Sequence, residues 1–172
     1  MSNIIQVFIE NPAGSRTKNI HDEKTLEFKG SIPVAQAYPF PYGFILDTTS
    51  EDGGNLDCFV LTNHSLHRGD VVACSVVGLM EQYEDGKPDH NILATPVGES
   101  VALTESVKSE LKVFVTEVFS VLGEDMDVRL SGGEVMDYLD EVAQRLKSKN
   151  ITAGEFLDVA PALSLIKQCS DK

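Results

Sequence analysis

The 172-residue chain is long enough to bury one core without disulfide or metal staples, and its length favours a single domain. Its 27 acidic residues against 14 basic ones leave a net charge of −13, which repels polyanions and argues against nucleic acid, while a local basic pocket for one small anion is still allowed. Cys58, Cys74 and Cys169 lack metal spacing and read as small buried hydrophobes in a reducing compartment. The N-terminus has no basic leader pattern, and no apolar run approaches a membrane span, so a cytoplasmic protein without a membrane partner is expected.

Up to about residue 100 the apolar runs are short and separated by turn residues. IIQVFIE (4–10), TLEFKG (25–30), FILD (44–47), CFVLT (58–62), DVVACSVVGLM (70–80) and NILATPV (91–97) read as strands of a small antiparallel sheet or barrel. The run VVACSVVGL is apolar almost throughout, the pattern of a central strand covered on both faces. Beyond residue 100 the period turns helical. Thr104 is placed to cap a helix on which Val107, Leu111, Phe114, Val118, Phe119 and Leu122 share a face, with Gly123 as its stop. DMDVRLSGG (125–133) reads as a short strand and turn. Val135, Met136, Leu139, Val142, Ala143 and Leu146 mark a second amphipathic helix. Thr152 with Glu155 has the form of a capping box, and Pro161 is expected to kink or divide the helix behind it. The layout is one α+β domain over residues 1–172, a β-barrel with helices gathered towards the C-terminal end, and roughly 151–172 as a C-terminal extension.

Chemistry concentrates in the β half. Asp52 and Asp57 flank a Gly-Gly-Asn turn in EDGGNLDCFVLT, and Asp89 lies in the polar turn EDGKPDHN. Two loops of a barrel can bring these three carboxylates together, and an all-oxygen donor set suits Mg²⁺. On spacing alone, solvated loop carboxylates are the better explanation of them. His64 and His67 show no zinc spacing, and His90 follows Asp89; surface positions account for all three. No G-x-S-x-G elbow and no P-loop occurs.

VFIENPAGSRTK, AYPFPYGFI and EDGGNLDCFVL, taken together and in this order, resemble the motifs of soluble family I inorganic pyrophosphatases: E-x-P-x-G with a following lysine, Y-P-x-x-Y-G-F/Y-I, and D-G-D-P-x-D. The VVGLM…D…ATP stretch resembles a fourth motif, and the likeness covers roughly residues 4–96. The resemblance implies an OB-type five-stranded antiparallel barrel flanked by two helices of the C-terminal half, a homo-oligomer (commonly a hexamer in bacteria), and Mg²⁺-dependent hydrolysis of pyrophosphate or another small phosphate compound. Carried over position by position, it implies metal ligands at Asp52, Asp57, Asp89 and Glu10. It implies phosphate contacts at Lys18 and Tyr42, with Tyr38 beside them and Glu84 or Asp85 as a further acid.

The chain also departs from the pattern. The middle aspartate of D-G-D-P-x-D, which acts on the nucleophile in the family, is Gly54, and the proline after it is Asn55. The acid expected two residues after Lys18 is Ile20. The substrate arginine falls at Gly30, with Lys29 the nearest cation. The lysine of the fourth motif is Asn91, and a tyrosine–lysine pair falls at Val118 and Phe119. Glu51 and Asp47 are candidates to replace the missing base. Acid–base help is typically worth about 10²–10⁴ in rate, so these changes imply weak activity. Three readings follow: a slow pyrophosphatase, a hydrolase of another phosphoanhydride, or a non-catalytic protein that binds metal or a partner.

Overall fold

The structure, a computed structural model, describes residues 3–120 and 134–171; side chains are described for these except at 134–137. The strands are β1 (Ile4–Asn11), β2 (Thr17–His21), β3 (Phe28–Pro33), β4 (Tyr42–Ile45), β5 (Asp57–Val60), β6 (Val71–Glu84), β7 (Lys87–Pro88), β8 (Asn91–Pro96) and β9 (Ile151–Leu157). The helices are α1 (Glu105–Glu117), α2 (Glu134–Lys147) and α3 (Val159–Cys169).

Five strands close on themselves in the order β1-β4-β5-β8-β6, with β6 returning to β1. The long β6 makes closure possible. Its first half pairs with β1 and its second half with β9, while β8 runs alongside across a bulge between Val76 and Gly78. The barrel is mixed rather than wholly antiparallel, because β5 and β8 run parallel. β2 and β3 form a separate hairpin.

Alternate residues of β5 and β8 explain their unbroken apolar runs. Cys58, Val60, Ile92 and Ala94 join a core cluster into which α3 inserts the fully buried Ala162. Phe59, Leu61 and Leu93 face a second cluster under Leu111, Phe114 and Val115 of α1. Both faces are therefore covered, as strands of this composition require. Thr104 caps α1 as its position predicts, its Oγ1 accepting the Val107 N–H at 3.2 Å. A third cluster seats Leu139, Val142, Ala143 and Leu146 of α2 on Ile20 and Ile32 of the hairpin.

Several expectations change. Thr17–His21 forms β2 although only one of its side chains is aliphatic. Within the expected extension of about 151–172, β9 joins the sheet and α3 packs against the core. Thr152 and Glu155 are strand residues, not a capping box. Pro161 sits in the first turn of α3, where a missing N–H costs nothing and the helix runs on unbroken. Leu122, Gly123 and the strand expected at 125–133 lie outside the described residues, as do the side chains of Val135 and Met136.

One residue reports on closure. A Cβ at Gly43 of β4 would overlap the Phe8 carbonyl of β1, because the two strands approach closely there. Gly43→Ala should cost about 3 kcal/mol or more, read as a lowered midpoint in urea denaturation; an unchanged midpoint would refute this packing.

Candidate active site

Barrel closure gathers acidic strand ends around one cavity of about 170 Å³. Glu10 comes from the end of β1, Asp57 opens β5, Glu84 ends β6, and Asp89 lies in the turn before β8; all four line it. Lys18 of β2 and Tyr42 of β4 face the same space, with the Lys18 Nζ 5.3 Å from the Tyr42 ring centre. Asp52 completes the acidic rim. Every metal or phosphate position expected from the sequence therefore borders this cavity. Of the alternatives left open, Glu84 lines it; Asp85 instead accepts the Asn150 N–H. Asp47 and Glu51 do not line it. His90 is occupied by the Gln82 N–H, and His64 pairs with Glu99, so neither is poised for chemistry here.

The loop carrying Asp52 is held tightly. Ser50 N–H donates to the Gly54 carbonyl at 2.7 Å, and Asp52 Oδ1 accepts the Ser50 hydroxyl at 2.5 Å and the Gly54 N–H at 2.9 Å. Gly53 adopts φ +89°, which glycine reaches without strain. The turn between β2 and β3 clamps the loop from outside. Lys24 Nζ donates to the Asn55 side chain at 2.7 Å, the Thr48 carbonyl at 2.8 Å and Thr49 Oγ1 at 2.9 Å. The neighbouring Glu23 accepts the Asn55 N–H at 2.8 Å and also lines the cavity. The C-terminal segment adds a second staple: Thr49 N–H to the Cys169 carbonyl, and Asp171 N–H to the Asp47 carbonyl.

Crowding of carboxylates sets the electrostatics. Burial, then Asp89 and Glu23, push the Asp57 carboxyl well above the carboxylate range, against the pull of Lys18. Asp89 is pushed up to about 7 by burial and by Glu84, with which it shares a hydrogen bond; Lys149 opposes the rise. Glu23 is also raised, first by burial. Burial alone would lower Lys18, but Tyr38, Glu10, Asp57 and Glu23 outweigh it and hold the ammonium charged. Burial raises the phenols of Tyr38 (to about 12) and Tyr42, so both remain hydrogen-bond donors. Glu10 is engaged from two sides. Its Oε2 accepts the His21 N–H at 3.1 Å and faces His21 Nδ1 at 3.2 Å; its Oε1 lies 3.7 Å from Lys18 Nζ.

Such a donor set fits a divalent cation. The oxygens are hard and several are half-buried, and burial followed by the neighbouring carboxylates raises Asp57 and Asp89. Among the described residues no three His, Cys, Asp or Glu side chains are already arranged around one ion. A hydrated ion that keeps several waters needs few direct protein ligands at once.

Some of the positions that depart from the family motifs are neighbours in space. Ile20 packs in the α2 cluster with Phe119 against it, and Gly30 lies under Leu139, where a Cβ would come within 2.6 Å of Leu139 Cδ1. Val118 and Phe119 give the cavity an apolar wall. Asn91 turns its amide to Gln82 Oε1 at 2.6 Å, and Lys29 pairs with Glu27. Two charged lining residues were not singled out in the sequence: Glu23 and Lys149, the latter 2.6 Å from Glu84. No motif marks either, because both are delivered by turns whose partners are distant in sequence.

Comparison with known proteins agrees with the motifs. The family model described as inorganic pyrophosphatase matches residues 7–121. The inorganic pyrophosphatase of Saccharolobus solfataricus is 29% identical, covering 84% of this chain and 91% of its own length. That of Nanoarchaeum equitans is 26% identical over 97% of this chain and 96% of its own. Among solved structures, the inorganic pyrophosphatase of Thermus thermophilus superimposes with a TM-score of 0.74 at 25% identity, over 97% of this chain and 89% of that one. With two-thirds of its length matched by the family model and its acidic cavity in register with the family motifs, this chain belongs to the inorganic pyrophosphatase family.

Proposed function

We propose that this chain hydrolyses pyrophosphate to two phosphates with Mg²⁺, more slowly than a member carrying the full motif set. One observation carries the reading: Asp52, Asp57 and Asp89 border the same cavity as Lys18 and Tyr42. The three aspartates, with Glu10 at the edge, are the residues that would hold the cation. When bound, it would supply Lewis acidity and neutralise phosphate charge. The chain's own part is positional. Lys18 stays charged among acidic neighbours, which suits it to hold one phosphate, and Tyr42 donates from its phenol. Lys149 provides a second cation from the turn between α2 and β9, and partly offsets the absence of charge at Gly30, Val118 and Phe119. A homo-oligomer belongs to the same proposal, on the strength of the family resemblance. Among the described residues no helix is long and apolar enough to cross a membrane.

The apolar wall of Val118 and Phe119 favours a second reading, in which the phosphoanhydride carries an organic group that rests there. Competition separates the two: a substrate of that kind would be hydrolysed faster than pyrophosphate by the same preparation.

The primary test is phosphate release from pyrophosphate at millimolar Mg²⁺. Activity should fall by about 10²-fold or more in Asp57→Asn and by a similar factor in Lys18→Met; release equal in wild type and Asp57→Asn would refute the proposal. Lys149→Met should act mainly on KM, raising it with a smaller change in kcat.

A pH dependence follows as well. Between the ordinary carboxyl value of 3.8 and about 7, the folded protein keeps a proton on Asp89 that the unfolded chain has released. In metal-free protein this stabilisation is complete below 3.8 and is lost as pH rises through about 7, so the melting temperature should decline across that window. Because the cation binds the deprotonated carboxylates, the gain in melting temperature with Mg²⁺ should be larger at pH 8 than at pH 5. A thermal-shift series with and without Mg²⁺ checks both signs.

A further inference from the structure

We propose that Glu23 supplies the catalytic carboxylate that position 54 lacks, reaching from the β2–β3 turn into the volume a side chain at residue 54 would fill. The proposal rests on the pyrophosphatase reading of the cavity.

Geometry carries it. A Cβ built on Gly54 would point at Glu23, 3.3 Å from its Oε1 and 3.4 Å from its Oε2, with Asp52 Oδ1 at 3.4 Å. An aspartate there would drive its carboxylate, one bond further out, into the place the Glu23 oxygens already hold. One carboxylate fits, from either residue. Gly54 does not need its glycine for backbone reasons, since its φ is one that any residue adopts. The exchange of aspartate for glycine thus coincides with a carboxylate arriving from another part of the chain.

Delivery of Glu23 is built into the hairpin. Asp22 Oδ1 accepts the Lys24 and Thr25 N–H groups at 2.9 and 2.8 Å, and the Leu26 N–H returns to the Asp22 carbonyl, forming a tight turn with Glu23 at its start. Lys24 locks that turn to the Asp52 loop, and the Asn55 N–H fixes Glu23 Oε1. Asp57 and Asp89 are taken by the proposed cation site, and the remaining acids of the cavity are engaged differently from Glu23. Glu10 is taken by His21 and Lys18, Glu84 by Lys149, and Asp52 Oδ1 by Ser50 and the Gly54 N–H. Among the described residues Glu23 is held by a backbone N–H and not by an ion pair. A carboxylate held in place without a cation on it is suited to accept a proton.

In the reaction, a water beside Glu23 passes one proton to its carboxylate as the water oxygen bonds to phosphorus. The bridging P–O bond breaks, and its electron pair leaves with the second phosphate, which takes up a proton in turn. Water and pyrophosphate are consumed and two phosphates form.

The experiment compares wild type, Glu23→Gln, Glu23→Ala, Gly54→Asp and the double variant Glu23→Ala/Gly54→Asp by three readouts: phosphate release, Mg²⁺ titration calorimetry and thermal melting. Glu23→Gln keeps an oxygen for the Asn55 N–H, so a merely structural role predicts near-wild-type turnover. The proposal predicts a kcat lowered about 10²-fold or more, with Mg²⁺ affinity close to wild type. The double variant should turn over at least about tenfold faster than Glu23→Ala. Gly54→Asp alone should restore nothing and should lower the melting temperature by about 2–4 °C, a loss that disappears when Glu23 is alanine. Undiminished kcat in Glu23→Gln, or a double variant no better than Glu23→Ala, would overturn the catalytic role. Equal melting losses for Gly54→Asp in both backgrounds would overturn the shared volume. Absence of any release by wild type above Asp57→Asn would remove the pyrophosphatase reading and the catalytic role with it, while the melting cycle would still decide whether the two residues occupy one place.

Discussion

Repulsion among carboxylates, imposed by the closed barrel, is the constraint around which the rest of the molecule is arranged. Closing β6 onto β1 brings Glu10, Asp57 and Glu84 to one cavity, and the intervening loops add Asp52 and Asp89. In a half-buried space such groups cannot all be charged without a counter-charge. Lys18 and Lys149 supply part of it from two sides, and burial together with the neighbouring carboxylates shifts Asp57 and Asp89 towards their protonated forms. The site is thus held in a state that a cation can relax.

Against this acidic half stands an apolar one. Ile20, Gly30 and Phe119 are scattered along the chain, yet they meet around α2, which buries Leu139, Val142, Ala143 and Leu146 on the β2–β3 hairpin, while Val118 packs in the neighbouring cluster under α1. Burying Ile20 and Leu139 requires partners of like character, since a charged side chain in that cluster would have to be desolvated without a mate. The same hairpin that α2 seats also carries Lys18 and Glu23, so apolar packing on one of its faces positions polar groups on the other.

Much of this was legible in the sequence. The strands of the barrel announced themselves because β5, β6 and β8 bury apolar side chains, and α1 and α2 because their apolar residues recur at helical steps. Asp52, Asp57, Asp89, Lys18 and Tyr42 could be read because they stand in ordered motifs. What escaped depends on partners remote in sequence. β2 is a strand because α2 covers it, and β9 is a strand because β6 offers an open edge; neither carries a strand pattern of its own. Glu23 and Lys149 lie in polar turns, indistinguishable from solvated residues until the fold turns them inward. The parallel pairing of β5 with β8 has no local signature either, since both faces of each strand are apolar whichever way it runs.

The staple between Thr49 and Asp171 spans 122 residues of chain, and β9 completes the pairing of a strand that ends at Glu84. During synthesis, then, the Asp52 loop and its Lys24 clamp emerge long before the C-terminal residues that staple the loop from the other side. A nascent chain displaying residues 1–100 would expose the edge of β6 and an acidic loop clamped by Lys24 but still without its C-terminal staple. The order of translation makes the site one of the last parts to mature, and the acidity of the waiting segment is itself a safeguard, since like charge keeps unfinished chains apart.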